Sequence, residues 1–180
     1  MFSPVAAYPA ARAFLTEGAA RGLVPRQFDI RNAFVQSYLK ERINVRLPKE
    51  WSEDGNEHVV RLVRALYGLR VSPVTWYRTF SAYLVDKLGW EQNVKEPGTF
   101  RRKLRDGSHA PMLVYVDDCM LLASNASEAD SLVKEILDHF DGQFVPPVTT
   151  VGTQVEMDFL GLQVQYNHAR RTMKILATKA

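Results

Sequence analysis

Two adjacent acidic residues, Asp117 and Asp118, stand between two strongly apolar segments, residues 112–116 and 120–123. Apolar runs of this length are typical of buried strands, where an ionised carboxylate resists desolvation. The pair therefore indicates either a polar turn between two core strands, where Asp is common, or a metal-binding site. The Asn-Gly or Asp-Gly sequence that favours a tight hairpin is missing, so the pattern alone leaves both interpretations open.

A metal site at this pair needs a third carboxylate from elsewhere in the chain, and Asp29 is the best candidate. It stands near the end of a predicted strand in which Phe28 and Ile30 face the core. The alternative interpretation is that Asp29 caps the turn that follows this strand.

The three acids are not expected to contribute equally. Because side chains alternate along a strand, Asp117 shares a face with Tyr115, while Asp118 points elsewhere unless the turn redirects it. We therefore expect Asp29 and Asp117 to be the principal pair and Asp118 to be secondary.

Carboxylates on adjacent strands suit phosphoryl transfer at a nucleotide. Two divalent ions about 3.5–4 Å apart activate a hydroxyl nucleophile and stabilise the leaving oxygens of an in-line displacement. The chain has one cysteine and four scattered histidines, which excludes an intrachain disulfide and a zinc site built on cysteines. Oxygen donors favour Mg²⁺ or Mn²⁺.

The composition is that of an ordinary globular domain. The 180 residues are 46% apolar and 24% charged, with a net charge of +3, which is compatible with a nucleic-acid partner without proving one. No apolar run reaches the roughly 18 residues that a membrane span needs, and the N-terminus does not resemble a secretory signal. We expect one domain over residues 1–180 in an intracellular protein, with a cytoplasmic particle and the nucleus both left open.

Two helices are predicted from apolar spacing and end signals. The first spans about residues 10–21 and ends at Gly22. The second begins with Ser72 as its N-cap and Pro73 in its first turn, and it ends at Gly89.

A third helix is predicted from a capping box formed by Ser127 and Asp130. Its apolar face comprises Ala129, Leu132, Val133, Ile136, Leu137 and Phe140. Strands are predicted near residues 26–30, 44–47, 59–63, 100, 112–116, 120–123, 159–165 and 173–176, and residues 146–152 are predicted to be a loop. This pattern indicates an α+β fold.

Four motifs occur in a characteristic order along the chain. They are residues 27–34 (QFDIRNAF), 65–73 (ALYGLRVSP) with Trp76-Tyr77, 113–118 (LVYVDD) and 159–162 (FLGL). Together they resemble the reverse transcriptase of copia-type retrotransposon polyproteins. Residues 2–5 (FSPV) are similar to the segment that precedes the first palm helix in that family, so the resemblance spans nearly the whole chain.

The resemblance implies a right-hand polymerase palm, with an antiparallel sheet packed on helices, part of the fingers and no thumb. In such a palm Asp29 would be the aspartate of the first catalytic motif. Asp117 and Asp118 would be those of the Tyr-x-Asp-Asp motif. These carboxylates, with the backbone of Ile30, would hold two Mg²⁺ or Mn²⁺ ions.

The resemblance also implies residues that contact the substrates. Phe34 matches the aromatic steric gate that excludes ribonucleotides through their 2′-OH, although by its pattern alone it would be an ordinary core residue. Gly68 matches a glycine where the backbone approaches the incoming nucleotide. Primer or template contacts are implied for Tyr115, Phe159, Leu160, Gly161 and Arg70, and the last of these has a solvated surface position as its alternative.

The implied activity is RNA-directed DNA synthesis, the metal-dependent transfer of a deoxynucleotide to a primer 3′-OH. The implied partners are an RNA/DNA template-primer, a dNTP, and the other segments of a Pol polyprotein, namely fingers, thumb, RNase H and integrase. A degenerate remnant that only binds nucleic acid is the alternative.

Several positions depart from the family pattern. Val71 and Val74 stand where Gln and a basic residue are common. No Lys lies between Phe144 and Gly152, where the family usually has a candidate proton donor, so we assign no general acid. Because the basic fingers strands and the thumb are not in this sequence, we expect the isolated chain to be poorly active or inactive.

Overall fold

Three α-helices and twelve β-strands make up residues 6–176, the part of the chain that the computed structural model describes. The helices are α1 (Tyr8–Arg21), α2 (Ser72–Asp86) and α3 (Ala126–Leu137). The strands are β1 (Val24–Ile30), β2 (Tyr38–Arg46), β3 (Val59–Arg64), β4 (Glu91–Gln92), β5 (Thr99–Lys103), β6 (His109–Tyr115), β7 (Asp118–Ala123), β8 (Gly142–Val145), β9 (Thr149–Val151), β10 (Gln154–Phe159), β11 (Leu162–Asn167) and β12 (Thr172–Leu176). The predicted α+β class is confirmed, while residues 2–5 of the resemblance lie outside the described part.

Six strands form one antiparallel sheet in the order β4-β5-β6-β7-β1-β8. A second antiparallel sheet has the order β12-β11-β10-β9, and β2 pairs with β3 in a separate two-stranded ribbon. Strand β1 lies inside the large sheet, hydrogen-bonded to β7 on one side and β8 on the other. The strand that carries Asp29 is therefore held along both edges.

Alternation along the strands gives the large sheet two apolar faces. Phe28 and Ile30 of β1 lie on one face and pack in a core with α2 and α3. Leu113 of β6 and Met120 of β7 lie on the opposite face and pack in a second core with α1 and the four-stranded sheet. Large buried side chains from the surrounding elements are Trp76, Phe80, Leu84, Ile136, Leu15, Phe159 and Tyr166.

Helix α1 agrees with the predicted helix apart from its start. It begins at Tyr8, and Pro9 in its first turn needs no intrahelical hydrogen bond. Gly22 caps its C-terminus in the left-handed conformation at φ 69°, donating its N–H to the Ala19 carbonyl oxygen at 2.9 Å. The predicted end of this helix is confirmed.

The other two helices correct the predicted caps. Val71, not Ser72, is the N-cap of α2, and Ser72 is its first residue, with its hydroxyl donating to the Leu66 carbonyl oxygen. The same helix ends at Asp86, three residues before Gly89.

Helix α3 is capped by Asn125 rather than Ser127. The Asn125 side chain accepts a hydrogen bond from the Glu128 N–H at 2.9 Å, while Ser127 lies inside the helix. The hydroxyl of Ser124 also donates to the Glu128 carboxylate at 2.5 Å. The predicted apolar face is confirmed for the buried residues Ala129, Leu132, Val133 and Ile136, whereas Leu137 is half-buried and Phe140 is buried beyond the end of the helix.

Several predictions about strands need correction: β4 and β8 were not predicted, and the predicted strand 112–116 ends at Tyr115. Residues 159–165 are not one strand, because β10 ends at Phe159 and β11 begins at Leu162, with a tight turn between them. The predicted loop at residues 146–152 contains β9, and β2 is longer than the predicted residues 44–47. The sequence did not predict the Leu160-Gly161 turn, because apolar residues flank it on both sides and the usual polar turn residues are missing.

Candidate active site

Four polar side chains stand in one row across the large sheet. Asp29 of β1 is directly opposite Asp118 of β7, and Asp118 is directly opposite Tyr115 of β6. On the other side of Asp29 stands Gln143 of β8. Because directly opposed residues share a face, this row lies on the face away from α2 and α3.

Asp117 lies in the turn between β6 and β7, not on a strand. The turn has two residues, and Val116 in it has φ 61°, a conformation that a β-branched residue rarely adopts. Two hydrogen bonds hold the turn: the Ile30 N–H donates to the Asp117 carbonyl oxygen at 3.0 Å, and Trp76 Nε1 donates to the Val116 carbonyl oxygen at 2.8 Å. Strain at a site held in this way is typical of functional positions.

The turn redirects Asp118, which was the condition left open by the sequence. Because β6 already ends at Tyr115, Asp118 is the first residue of β7 and faces the same way as Tyr115. The turn thus gives the face of Tyr115 to Asp118, where simple alternation along one strand had given it to Asp117. It is Asp118 that stands beside Asp29 across the two strands, and Asp117 adjoins them from the turn.

Two of the carboxylates, Asp118 and Asp29, bind protons more tightly than an ordinary aspartate does. Burial raises the pKa of Asp118 to about 6, and the charges of Asp29 and Asp117 add to this effect. Burial also raises the pKa of Asp29, with Asp117 adding to it and the Arg31 guanidinium opposing it. Such a concentration of negative charge is stabilised by a cation.

Two N–H donors are directed at Asp118. Gln27 Nε2 donates to Asp118 Oδ1 at 3.0 Å, and a hydrogen bond from the backbone of Leu160 also lowers the pKa of this carboxyl group. Leu160 and Gly161, with φ 52° and 72°, form the turn of the β10–β11 hairpin. The Tyr8 hydroxyl donates to the Leu160 carbonyl oxygen at 3.0 Å.

This hairpin corrects the predicted secondary structure of three site residues. Phe159, Leu160 and Gly161 do not form a strand: Phe159 is the last residue of β10 and is fully buried, while the other two make the turn. Of the three, Leu160 is the one that the fold brings to the carboxylates.

The predicted nucleotide-binding positions lie on two contacting segments. Phe34 is half-buried in the 3₁₀ turn Ala33–Gln36, and its ring centroid lies 4.7 Å from that of Tyr67. Gly68 follows Tyr67 and has φ 90°, which favours glycine, although nothing lies within 4 Å of an added Cβ. The backbone conformation at Gly68, rather than crowding by neighbouring atoms, therefore explains the glycine. Arg70, two residues further along the chain, is exposed.

The donor chemistry of the row fits a hard divalent cation. Between residues 6 and 176 no hydrogen bond is made to the carboxylates of Asp29 or Asp117, so their oxygens are available as ligands. Over the same residues, no three His, Cys, Asp or Glu side chains are already gathered closely enough to chelate an ion. The Ile30 N–H is engaged with Asp117, while the Ile30 carbonyl stays a predicted ligand.

Sequence reasoning missed three polar neighbours of the carboxylates. Gln27 shares the face of Asp29 because it lies two residues earlier on β1, and this signal was available in the sequence. Arg31 and Gln143 were not accessible in this way, since their contact at 2.8 Å depends on the pairing of β1 with β8.

The ordered motifs and this row of carboxylates agree with a comparison to known protein families. Residues 1–177 match the family described as reverse transcriptase (RNA-dependent DNA polymerase). The chain belongs to this family. This match, together with the yeast transposon relatives described next, confirms the resemblance to copia-type reverse transcriptases.

Individual relatives of this reverse transcriptase domain are yeast transposon polyproteins. The Ty1-GR1 Gag-Pol polyprotein of Saccharomyces cerevisiae is 27% identical over 147 residues, which cover 80% of this chain and 8% of the relative. The TyH3 Gag-Pol polyprotein of Saccharomyces cerevisiae is 25% identical over 144 residues, with the same coverage. The chain thus spans about 8% of the length of these relatives. No helix among residues 6–176 is long and apolar enough to cross a membrane.

Proposed function

We propose that this reverse transcriptase domain catalyses RNA-directed DNA synthesis, in which a primer 3′-OH attacks the α-phosphate of a dNTP and pyrophosphate leaves. One observation carries the proposal: β1 and β7 place Asp29 directly beside Asp118, and the turn that carries Asp117 adjoins them. Strands held by hydrogen bonds on both sides provide the rigid positioning that phosphoryl transfer requires.

Asp29 and Asp117, with the Ile30 carbonyl, would hold two Mg²⁺ or Mn²⁺ ions. Bound ions of this kind activate a hydroxyl nucleophile and stabilise the leaving oxygens. The unengaged carboxylates of Asp29 and Asp117 support their direct role, whereas Asp118 already accepts a hydrogen bond from Gln27. Asp118 would contribute mainly negative charge. It would therefore be secondary to Asp29 and Asp117 as a metal ligand, although it lies at the centre of the row.

The remaining site residues would contact the substrates. Phe34, braced by Tyr67, would act as the gate against a 2′-OH, with Gly68 on the neighbouring segment close to the nucleotide. Tyr115, in one row with Asp118 and partly exposed, would contact the primer end. Contacts to primer or template are proposed for Phe159, Leu160, Gly161 and Arg70.

At the level of domains, the large sheet with α2 and α3 would be the palm, and the ribbon of β2 and β3 would belong to the fingers. The relatives are Gag-Pol polyproteins, which supports a polyprotein context for this domain too. Its partners would be an RNA/DNA template-primer, dNTPs, and the fingers, thumb, RNase H and integrase segments.

Primer extension tests the proposal with this chain alone and with the chain joined to its flanking polyprotein segments. Asp117→Ala and Asp29→Asn are expected to reduce the rate of nucleotide addition at least 100-fold, because each removes a ligand oxygen from the ions. Asp86→Asn is the matched control, since Asp86 is exposed at the end of α2 on the other side of the large sheet.

Extension by Asp117→Ala at the wild-type rate would contradict the metal assignment. If the joined protein binds a template-primer but adds no nucleotide, and the chain binds no Mn²⁺, the domain is a nucleic-acid-binding remnant instead.

A further inference from the structure

Gln27 makes a direct contact with one carboxylate of the site. It lies two residues before Asp29 on β1 and is directly opposite Met120, the residue two positions after Asp118 on β7. Its side chain is half-buried and reaches along the strands, so that Nε2 donates to Asp118 Oδ1 at 3.0 Å. A hydrogen bond to an ionised group is stronger than one between neutral groups.

The turn of the other sheet also adjoins this carboxylate. The backbone of Leu160 lowers the pKa of Asp118, and the Tyr8 hydroxyl ties this turn to α1 at 3.0 Å. Asp118 therefore lies between Gln27 of β1 and the β10–β11 hairpin. Among the described residues, the carboxylates of Asp29 and Asp117 accept no comparable hydrogen bond.

We propose that Gln27 is a positioning residue which fixes the Asp118 carboxylate and leaves the oxygens of Asp29 and Asp117 to bind the cations. This inference rests on the proposed function. Neighbouring carboxylates repel one another, and an Asp118 side chain without a donor would rotate away from the other two. Donors that hold it in place keep its charge beside the ions, as residues behind metal ligands commonly do.

The test measures the binding of Mn²⁺ to this chain, with electron paramagnetic resonance as the readout. Gln27→Met keeps the length of the side chain but removes the donor, and it is expected to weaken Mn²⁺ binding about tenfold. Gln27→Glu keeps the shape, adds a repelling charge in place of the donor, and is expected to weaken binding at least as much. Gln165→Met is the matched control: Gln165 Nε2 donates to Glu156 Oε1 at 2.6 Å on paired strands of the other sheet, so its loss leaves Mn²⁺ binding unchanged.

Wild-type Mn²⁺ affinity in folded Gln27→Met or Gln27→Glu overturns the inference. A second measurement separates it from the proposed function: the side-chain amide resonances of Gln27 in NMR are expected to shift in Asp118→Ala, because their acceptor is lost. If the wild-type chain binds no Mn²⁺ and the joined protein adds no nucleotide, but these resonances shift, the proposed function fails and the positioning contact stands. If the resonances do not move, the positioning role is overturned whatever the chain binds.

Discussion

The three aspartates differ in what surrounds their carboxylates. Asp118 accepts hydrogen bonds, and yet burial and its two acidic neighbours still raise its pKa to about 6. Asp29 has a raised pKa for the same reasons, moderated by Arg31. Raised values mean that the folded protein without a cation holds these groups in their ionised form at a cost in stability.

This cost predicts how the stability of the metal-free protein depends on pH. Because the folded pKa of Asp118 lies above its unfolded value, the folded state binds more protons, and the free energy of unfolding falls as pH rises from about 4 to above 6. Asp118→Asn should remove much of this slope, so its stability relative to the wild type is greatest at pH 7. Thermal unfolding in EDTA measures this difference, and parallel pH profiles for the two proteins would contradict it.

At the scale of single elements, α3 supports the strands that carry the carboxylates. Its buried face packs in the same core as Phe28 of β1 and Cys119 of β7. Its N-terminus is satisfied by the Asn125 side chain, which stands two residues after the end of β7. The helix that supports the site therefore begins almost directly after the strand that holds Asp118.

The cap of α3 gives a second prediction. Asn125→Ala removes the acceptor for the Glu128 N–H and should lower the free energy of unfolding by about 1 kcal/mol. Ser127→Ala is the control. Ser127 is a solvent-exposed residue within the helix, so this substitution should change the free energy of unfolding by less than about 0.5 kcal/mol. Chemical denaturation measures both, and a larger loss for Ser127→Ala would show that the cap lies there instead.

At the scale of the whole molecule, α1 joins the two sheets. Gly18 of α1 approaches the large sheet so closely that an added Cβ would lie 2.3 Å from Leu122 Cδ1 and 3.0 Å from the Tyr166 hydroxyl of the second sheet. The same helix contacts the Leu160 turn through Tyr8. The position of the turn against Asp118 therefore depends on how α1 packs.

Gly18→Ala tests this packing. Although alanine favours a helix by about 1 kcal/mol over glycine, the clash with Leu122 should outweigh this gain and destabilise the fold by about 1–3 kcal/mol. Ala20→Gly, at an exposed position of the same helix, should cost only helix propensity, about 1 kcal/mol. Urea denaturation compares the two, and a Gly18→Ala protein more stable than the wild type would contradict the close approach.

Local pattern determined much of this protein. Some features depend only on residues that are close together in the sequence, so they can be predicted without the fold. They are the apolar spacing of the helices, the alternation around Asp29, and the apolar segments on either side of Asp117 and Asp118. The ordered motifs likewise indicated the reverse transcriptase family, which the match over residues 1–177 bears out.

Only the tertiary structure decided which side chains meet. A hairpin that turns at Val116 rather than one residue later determines the face of Asp118, because side-chain direction reverses with every residue of register. The hydrogen bond from Gln27 to Asp118 joins two residues that are 91 positions apart in the chain, and the Leu160 turn adjoins Asp118 from the second sheet. Such contacts depend on strand pairing and sheet packing, which local sequence does not encode.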